Sequence, residues 1–332
     1  MKRVAVLDDY QEVVLSLPYW AQLAGRATVD AYRDTPADEE ALARRLQPYE
    51  IVVPIRERTR FPASLLQRLP SLELLALTGR NSGHVDVDAA SARGILVTET
   101  EGSGASAIEH TIALLLALVR RIPQEDRAMR QGGWQTGVAV ELSGKTLGIV
   151  GLGRIGSQVA ALGKLLGMRL LAWGPTLDDG RAAAAGARRV ALDELFRESD
   201  VVSVHLRLSE RTRGIVGAKQ LSLMKRSAYF VNTSRGALVD EQALLATLRE
   251  NRIAGAALDV YQVEPLPAAH PFRSCENVVL SPHMGFVTWE AYHLFFRQAV
   301  EAIDAYLQGK VPARALNLQA IARRRQPGDE VG

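Results

Sequence analysis

Three residues in the last third of the chain carry side chains that would work together on a carbonyl group. Arg235 lies in Asn232-Thr233-Ser234-Arg235-Gly236, Glu264 in the run Leu258–Pro265, and His283 in Ser281-Pro282-His283-Met284-Gly285. A guanidinium holds a carboxylate bidentately and polarises a carbonyl. An imidazole gives a proton to the alkoxide as hydride arrives. A carboxylate beside an imidazole fixes its tautomer and favours its protonated form. As a set the three fit the reduction of an α-keto acid. Taken singly, each has a plainer explanation: a surface ion pair for the Arg, a solvated turn for the Glu before Pro, a cap or packing role for the His after Pro. Position joins them. Each falls beyond a short β-rich run, at Tyr229–Asn232, Gly255–Leu258 and Val278–Leu280, and in an open parallel sheet ligands bind outside the carboxyl ends of the strands.

Upstream stands Gly151-Leu152-Gly153-Arg154-Ile155-Gly156, directly after the apolar run Thr146–Val150 and at the start of a helical segment, Ile155–Leu166. A lone G-x-G-x-x-G says little, but strand before and helix after is the context a dinucleotide fingerprint requires. Gly151 permits the tight turn, Gly153 lets backbone approach a pyrophosphate, and Gly156 allows close helix-strand packing. The helix N-terminus then offers free N–H groups to the phosphates. About 20 residues on, an acid should hold the adenosine ribose. The strand Met168–Trp173 instead ends at Gly174-Pro175-Thr176, with Asp178, Asp179 and Arg181 further along. NAD and NADP both stay open, with NAD slightly favoured.

These residues need a scaffold of alternating strands and helices. The first hundred residues supply strand-length apolar runs at Val4–Leu7, Ile51–Val53, Leu72–Leu77 and Ile95–Val97, separated by helical stretches at 38–46, 62–68 and 87–93. A long Ala/Leu-rich stretch, 103–130, follows, with an interruption expected at Pro123. The second series adds strands at Arg169–Trp173 and Val201–Val204 and helices at 193–198 and 241–250. A last helix, Trp289–Leu307, shows one apolar side of Ala291, Leu294, Phe295, Ala299, Ala302, Ile303 and Tyr306. Strand-helix alternation predicts an α/β fold with two doubly wound parallel-sheet domains. The length of 332 residues also exceeds what a single core usually supports.

Composition narrows the function classes. Forty Lys+Arg against 37 Asp+Glu leave a net charge of +3, too little for a nucleic-acid footprint. One cysteine, Cys275, excludes an intramolecular disulfide framework and a cysteine zinc cluster. The longest apolar helical run, Thr111–Val119, is far shorter than the ~20 residues that span a bilayer. The N-terminal apolar run is too short for a secretion signal and reads as a first strand. A cytoplasmic enzyme with no metal, membrane or nucleic-acid partner is the expectation.

From about residue 50 to about 310 the sequence resembles the D-isomer-specific 2-hydroxyacid dehydrogenase family. Gly151–Gly156, with Arg154 and Ile155, resembles its glycine motif, and Asn232–Asp240 its arginine motif, with Arg235 at the catalytic position. The resemblance gives Asp259 a nicotinamide contact, makes Glu264 the support of the histidine, and makes His283 the acid/base. It extends to Ile108-Glu109-His110-Thr111, the start of an inter-domain helix, and to Asn81–Asp86, a loop whose backbone amides face the substrate carboxylate. It implies cofactor contacts from Gly174, Thr233, Ser234 and Gly285 and substrate contacts from Asn81 and Ser82. It further implies a Rossmann cofactor domain, 99–285, inserted into a flavodoxin-like substrate domain of 1–98 plus 286–320, with a disordered tail at 321–332. The active site would lie in the cleft, and the protein would be a homodimer through the cofactor domain. His110, in an apolar helix, reads as a structural histidine, and His205 as packing near the adenine rim.

Several positions depart from the family pattern. Gly174 stands where NAD-preferring members carry an acid, and Arg207 where a proline is common. The loop Thr78–His84 is not the commonest form. Phe286-Val287-Thr288-Trp289 is bulky, and Trp289 could line a pocket or pack at the start of the last helix. The same fold could act on phosphite or another small anion, or serve as a corepressor-like nucleotide sensor. Formate fits less well, because Glu264 stands where formate dehydrogenases carry Gln.

Overall fold

The computed structural model describes residues 1–80 and 82–320. The expected tail at 321–332, including Arg323-Arg324-Arg325, and the substrate-loop residue Asn81 lie outside the described residues. The chain divides into two compact units. One is Met1–Ser103 together with the segment that begins at Thr288, and the other is Gly104–Val287.

The first unit opens with β1 (Lys2–Leu7), β2 (Ala27–Ala31), α1 (Glu39–Leu46), β3 (Ile51–Pro54), α2 (Ala63–Gln67), β4 (Leu74–Ala76), α3 (Val87–Ala92) and β5 (Leu96–Thr98). All five strands are parallel, in the order β2-β1-β3-β4-β5, with Val4 opposite both Val29 and Ile51. This is the flavodoxin-like order. Side chains alternate between two buried faces: Ala5, Leu7, Val52 and Leu75 join one core, while Val4, Val6, Val53 and Leu74 are buried opposite. Burial on both sides explains the unbroken apolar runs. β2 (ATVDA) has no such run, because it is an edge strand that buries only Ala27 fully.

The second unit begins with α4 (Ala105–Val119) and α5 (Ile122–Arg130). The break lies upstream of Pro123: Arg121 takes a left-handed conformation, φ 57°, and Pro123 sits in the first turn of α5, where its missing N–H costs nothing. There follow β6 (Thr146–Val150), α6 (Arg154–Leu165), β7 (Arg169–Trp173), α7 (Asp179–Ala184), β8 (Arg188–Arg189), α8 (Leu192–Glu198), β9 (Val201–Val204), α9 (Ala218–Leu223), β10 (Tyr229–Asn232), α10 (Glu241–Arg249), β11 (Gly255–Leu258) and β12 (Val278–Leu280). The seven strands are parallel in the order β12-β11-β10-β9-β6-β7-β8. Alternation again separates two cores. Val202, Val204 and Phe230 face one, and Val201, Val231 and Ala257 the other.

The chain then returns to the first unit as α11 (Trp289–Leu307), capped by Thr288, whose side chain accepts the Ala291 N–H at 3.2 Å. Its buried face is wider than the expected stripe. Tyr292, Phe296 and Val300 are buried along with Ala291, Phe295, Ala299, Ala302 and Ile303, while Leu294 and Tyr306 are only half-buried. The 3₁₀ segment Pro18–Leu23 covers the extra width, with Trp20 against Phe296 at 6.0 Å. Beyond α11, buried Asn317 accepts from the Val97 amide and donates to Ser91 and Ile95, binding residues 315–317 to β5.

Candidate active site

In the second unit the sheet order reverses between β6 and β9, the switch point at which open α/β sheets bind ligands. The glycine loop sits there. Gly151 has φ 105°, and a Cβ on it would stand 2.8 Å from the His205 backbone. A Cβ on Gly156 would stand 2.1 Å from the Gly151 carbonyl oxygen, so α6 packs directly on the loop. Around Gly153 nothing lies within 4 Å of where a Cβ would be, and no side chain caps α6. The first-turn amides of that helix, with Arg154 and Ile155, have no side-chain cap and lie beside the open space at Gly153, an arrangement that fits a pyrophosphate.

At the end of β7, Gly174 is followed by a turn in which its carbonyl accepts the Leu177 N–H. Asp178 is used as the N-cap of α7, accepting from the Arg181 amide at 2.8 Å. The Arg181 guanidinium donates to Thr176 O at 3.1 Å and Leu152 O at 3.4 Å, tying this turn to the glycine loop. At the end of β9, His205 Nε2 meets Ser203 Oγ at 2.8 Å, and burial pulls the imidazole down to about 4, so it is neutral near pH 7. Arg207 is exposed beyond it.

The three chemical residues leave adjacent strands. Arg235 follows β10, Glu264 follows β11 and His283 follows β12, with parallel strands about 4.8 Å apart. The first two loops touch: a Cβ on Gly236 would lie 2.1 Å from Tyr261 backbone atoms. Arg235 is half-buried and donates from Nη1 to Ser234 O at 2.6 Å. Ser234 Oγ donates to Val204 O at 2.7 Å, and Thr233 Oγ1 meets Thr111 Oγ1 of α4 at 2.7 Å. Glu264 Oε1 accepts the Tyr261 N–H at 2.9 Å, and its Oε2 lies 2.6 Å from His283 Nδ1. That contact fixes the proton on Nδ1 and leaves Nε2 to exchange protons. The Phe286 ring stands edge-on to the imidazole at 5.4 Å.

Asp259 is fully buried. Its Oδ1 accepts from Met284 N at 2.7 Å, Ser281 Oγ at 2.5 Å and His110 Nε2 at 3.1 Å, and its Oδ2 accepts from Gly285 N at 2.9 Å. Burial would raise this carboxyl, but the hydrogen bonds from His110, Ser281 and Met284 outweigh it and hold it below the usual carboxylate range. Tyr261, whose phenol burial pushes up, donates at 3.0 Å to both Leu258 O and Ser281 O and so bridges the ends of β11 and β12. The roles of Tyr261, Ser281 and His110 were not visible in the sequence. For His110 the partner is 149 residues away, and only tertiary packing brings them together.

Of the expected substrate contacts, Ser82 is half-buried in the first unit and its carbonyl accepts the Val85 N–H at 2.9 Å. Trp289 is 58% exposed, tilted against His293 at 6.2 Å, so it is neither a core aromatic nor enclosed.

Comparison with known proteins follows the same lines. The sequence model of the "D-isomer specific 2-hydroxyacid dehydrogenase, NAD binding domain" matches residues 112–285. The chain is 42% identical over 279 residues to a glyoxylate reductase of Aeropyrum pernix, covering 81% of this chain and 83% of that one. It is 37% identical over 290 residues to the D-3-phosphoglycerate dehydrogenase of Archaeoglobus fulgidus, covering 86% of this chain but spanning only 55% of that longer protein. The solved phosphoglycerate oxidoreductase of Vibrio cholerae superposes with a TM-score of 0.89 at 40% identity, over 93% of this chain and 100% of that one. A glycine cradle at the switch point, an imidazole–carboxylate pair on the loops three and four strands along the sheet, and relatives of this similarity agree: the chain belongs to the D-isomer specific 2-hydroxyacid dehydrogenase family.

Proposed function

We propose that this chain reduces a small 2-keto acid to the D-2-hydroxy acid, and runs the reverse oxidation, with Arg235, Glu264 and His283 as its working residues. The 2.6 Å contact between His283 Nδ1 and Glu264 carries this reading, because it prepares the imidazole to act through Nε2. Membership of the family makes the chain an NAD(P)-dependent oxidoreductase acting on a 2-hydroxy acid/2-keto acid pair. The unit 104–287 is the proposed cofactor domain. Gly151, Gly153, Arg154, Ile155 and Gly156 would hold the pyrophosphate, Gly174 would border the ribose, and Thr233, Ser234, Asp259 and Gly285 would border the nicotinamide. Asp259 Oδ2 accepts from Gly285 N, which joins two of these residues. When bound, the nicotinamide supplies hydride in reduction and takes it up in oxidation.

The protein's part is to bind, orient and move one proton. Arg235 pairs with the substrate carboxylate and polarises the adjacent carbonyl. Asn81, outside the described residues, and Ser82 are proposed as further substrate-binding residues. His283 Nε2 gives its proton to the carbonyl oxygen as the carbon is reduced, and takes it back in oxidation. Glu264 holds Nδ1–H and balances the charge of the protonated ring. The cytoplasm is the proposed compartment, since a reducing environment suits a chain whose single thiol, Cys275, is half-buried. Self-association is proposed through α5 and the loop after it, where Ile122, Met129, Trp134 and Val138 are exposed.

The names of the relatives place glyoxylate and phosphorylated three-carbon acids first among substrates to try. A panel of 2-keto acids, with formate and phosphite alongside, followed at the nicotinamide absorbance with NADH or NADPH for reduction and NAD or NADP for oxidation, tests the proposal. Turnover confined to keto acids and their hydroxy acids supports it. Cofactor binding without turnover of any of them, or turnover of phosphite alone, overturns it.

A further inference from the structure

His283 sits in a backbone conformation that histidine rarely adopts, with φ 55°. Such a conformation persists only where the surroundings over-determine it. Here one residue does most of that. The Asp259 carbonyl accepts the His283 N–H at 2.8 Å, and its carboxylate accepts the next two amides, Met284 and Gly285. Three consecutive N–H groups therefore end on Asp259. The approach is close enough that a Cβ on Gly285 would come within 3.1 Å of Oδ2.

Four groups donate to the Asp259 carboxylate, and three of them belong to the segment 281–285 itself. The fourth, His110 Nε2, comes from the middle of α4. Ser281 gives its hydroxyl proton to Oδ1 at 2.5 Å, so its oxygen accepts from His110, 2.9 Å away. The His110 Nε2–H is thus shared between Asp259 and Ser281, and it braces both from outside the loop. We infer that His110 is a positioning residue for the reaction: acting through Asp259 and Ser281, it holds the segment that carries His283. The inference rests on the proposed role of His283 and adds a residue to it.

Asp259 can do this only while ionised, because protonation turns one of its acceptor sites into a donor. The titratable groups that face it are His110 from α4 and Tyr261 from its own loop. Tyr261 is in turn faced by Glu264 and Arg273, and His283 is attached to the Asp259 carbonyl through its amide. Loss of the His110 N–H removes one of the groups that keep the carboxyl below the usual range, so the carboxyl moves up. The loop then loosens at a higher pH than in the wild type.

The test compares the wild-type enzyme with His110→Ala and His110→Gln, since a Gln amide reaches about as far as Nε2. Four quantities are measured: 2-keto acid reduction from about pH 3 to about 9, cofactor affinity, thermal midpoint, and hydrogen exchange of the peptide spanning 281–287. His110→Ala is expected to lower kcat about 10- to 100-fold through misplacement of His283, with cofactor affinity nearly unchanged. Its acid limb should move up by about one pH unit, and exchange at 283–285 should accelerate. His110→Gln should restore most of kcat and return the acid limb. An unchanged pH profile in His110→Ala overturns the inference, whether kcat is retained or falls only in step with the thermal midpoint without rescue by Gln. If the wild type turns over no keto acid while His110→Ala still accelerates exchange at 283–285, the bracing stands and the proposed reaction falls.

Discussion

At the scale of single residues, two carboxylates follow β11 within six positions, and the structure gives them opposite tasks. Glu264 faces the imidazole, while Asp259 is buried beneath the backbone that carries it. Glu264→Gln keeps an acceptor for Nδ1–H but loses the charge, and charge-assisted hydrogen bonds are roughly twice as strong as neutral ones. Steady-state kinetics on that variant should show kcat lower by about 10- to 100-fold, with a nearly unchanged KM for the keto acid. A KM effect with kcat intact would place Glu264 in substrate binding instead. The residue types and positions of Arg235, Glu264 and His283 were legible in the sequence, since each follows a strand end. The division of labour between Asp259 and Glu264 came only from the resemblance to a known family. His110 was read as structural. Its apolar helical surroundings gave no sign that Nε2 reaches Asp259 and Ser281, which depends on how α4 packs on β11 and β12.

At the scale of elements, the strands that support the site were the most legible part of the chain. β6, β9, β10, β11 and β12 are buried on both faces, and such strands must be written as unbroken apolar runs. β2 and the two-residue β8 lie at sheet edges and carry no such run, so pattern reading passes over them. The short helices α7 and α9 were passed over too, because each buries a single residue, Ala182 and Leu221, and so shows no apolar period. The glycine loop was readable because its geometry forbids side chains. In Gly156→Ala the new methyl would stand 2.1 Å from the Gly151 carbonyl oxygen, so α6 must lift from the loop. Overpacking of this kind costs about 1–3 kcal/mol. Calorimetric titration with NADH or NADPH should show affinity weakened by about tenfold or more, since the helix amides move with α6. Unaltered affinity with a lowered thermal midpoint would separate the loop from cofactor binding.

At the scale of the whole molecule, length alone asked for more than one core, and the motif positions suggested that the middle of the chain forms one domain and its ends the other. The structure divides into a unit of 104–287 and a unit that joins the N-terminal hundred residues to the segment from Thr288. That discontinuity is hard to read from composition, because α11 and the hydrogen bonds of Asn317 to β5 join segments more than 200 residues apart. Net charge, +3, says little about the active centre, where the cation proposed to hold the substrate is Arg235. The exposed Trp134, 73% accessible, gives a test of self-association. Sedimentation should find two 36.2 kDa chains for the wild type and one for Trp134→Glu, and a monomeric wild type would remove the proposed interface. Keto-acid reduction by wild type and His283→Ala, with cofactor affinity measured in parallel, tests the proton transfer itself. General acid catalysis contributes about 10²–10⁴-fold, so the variant should bind cofactor as before and lose turnover by that factor, whereas full turnover by His283→Ala would remove His283 from the reaction.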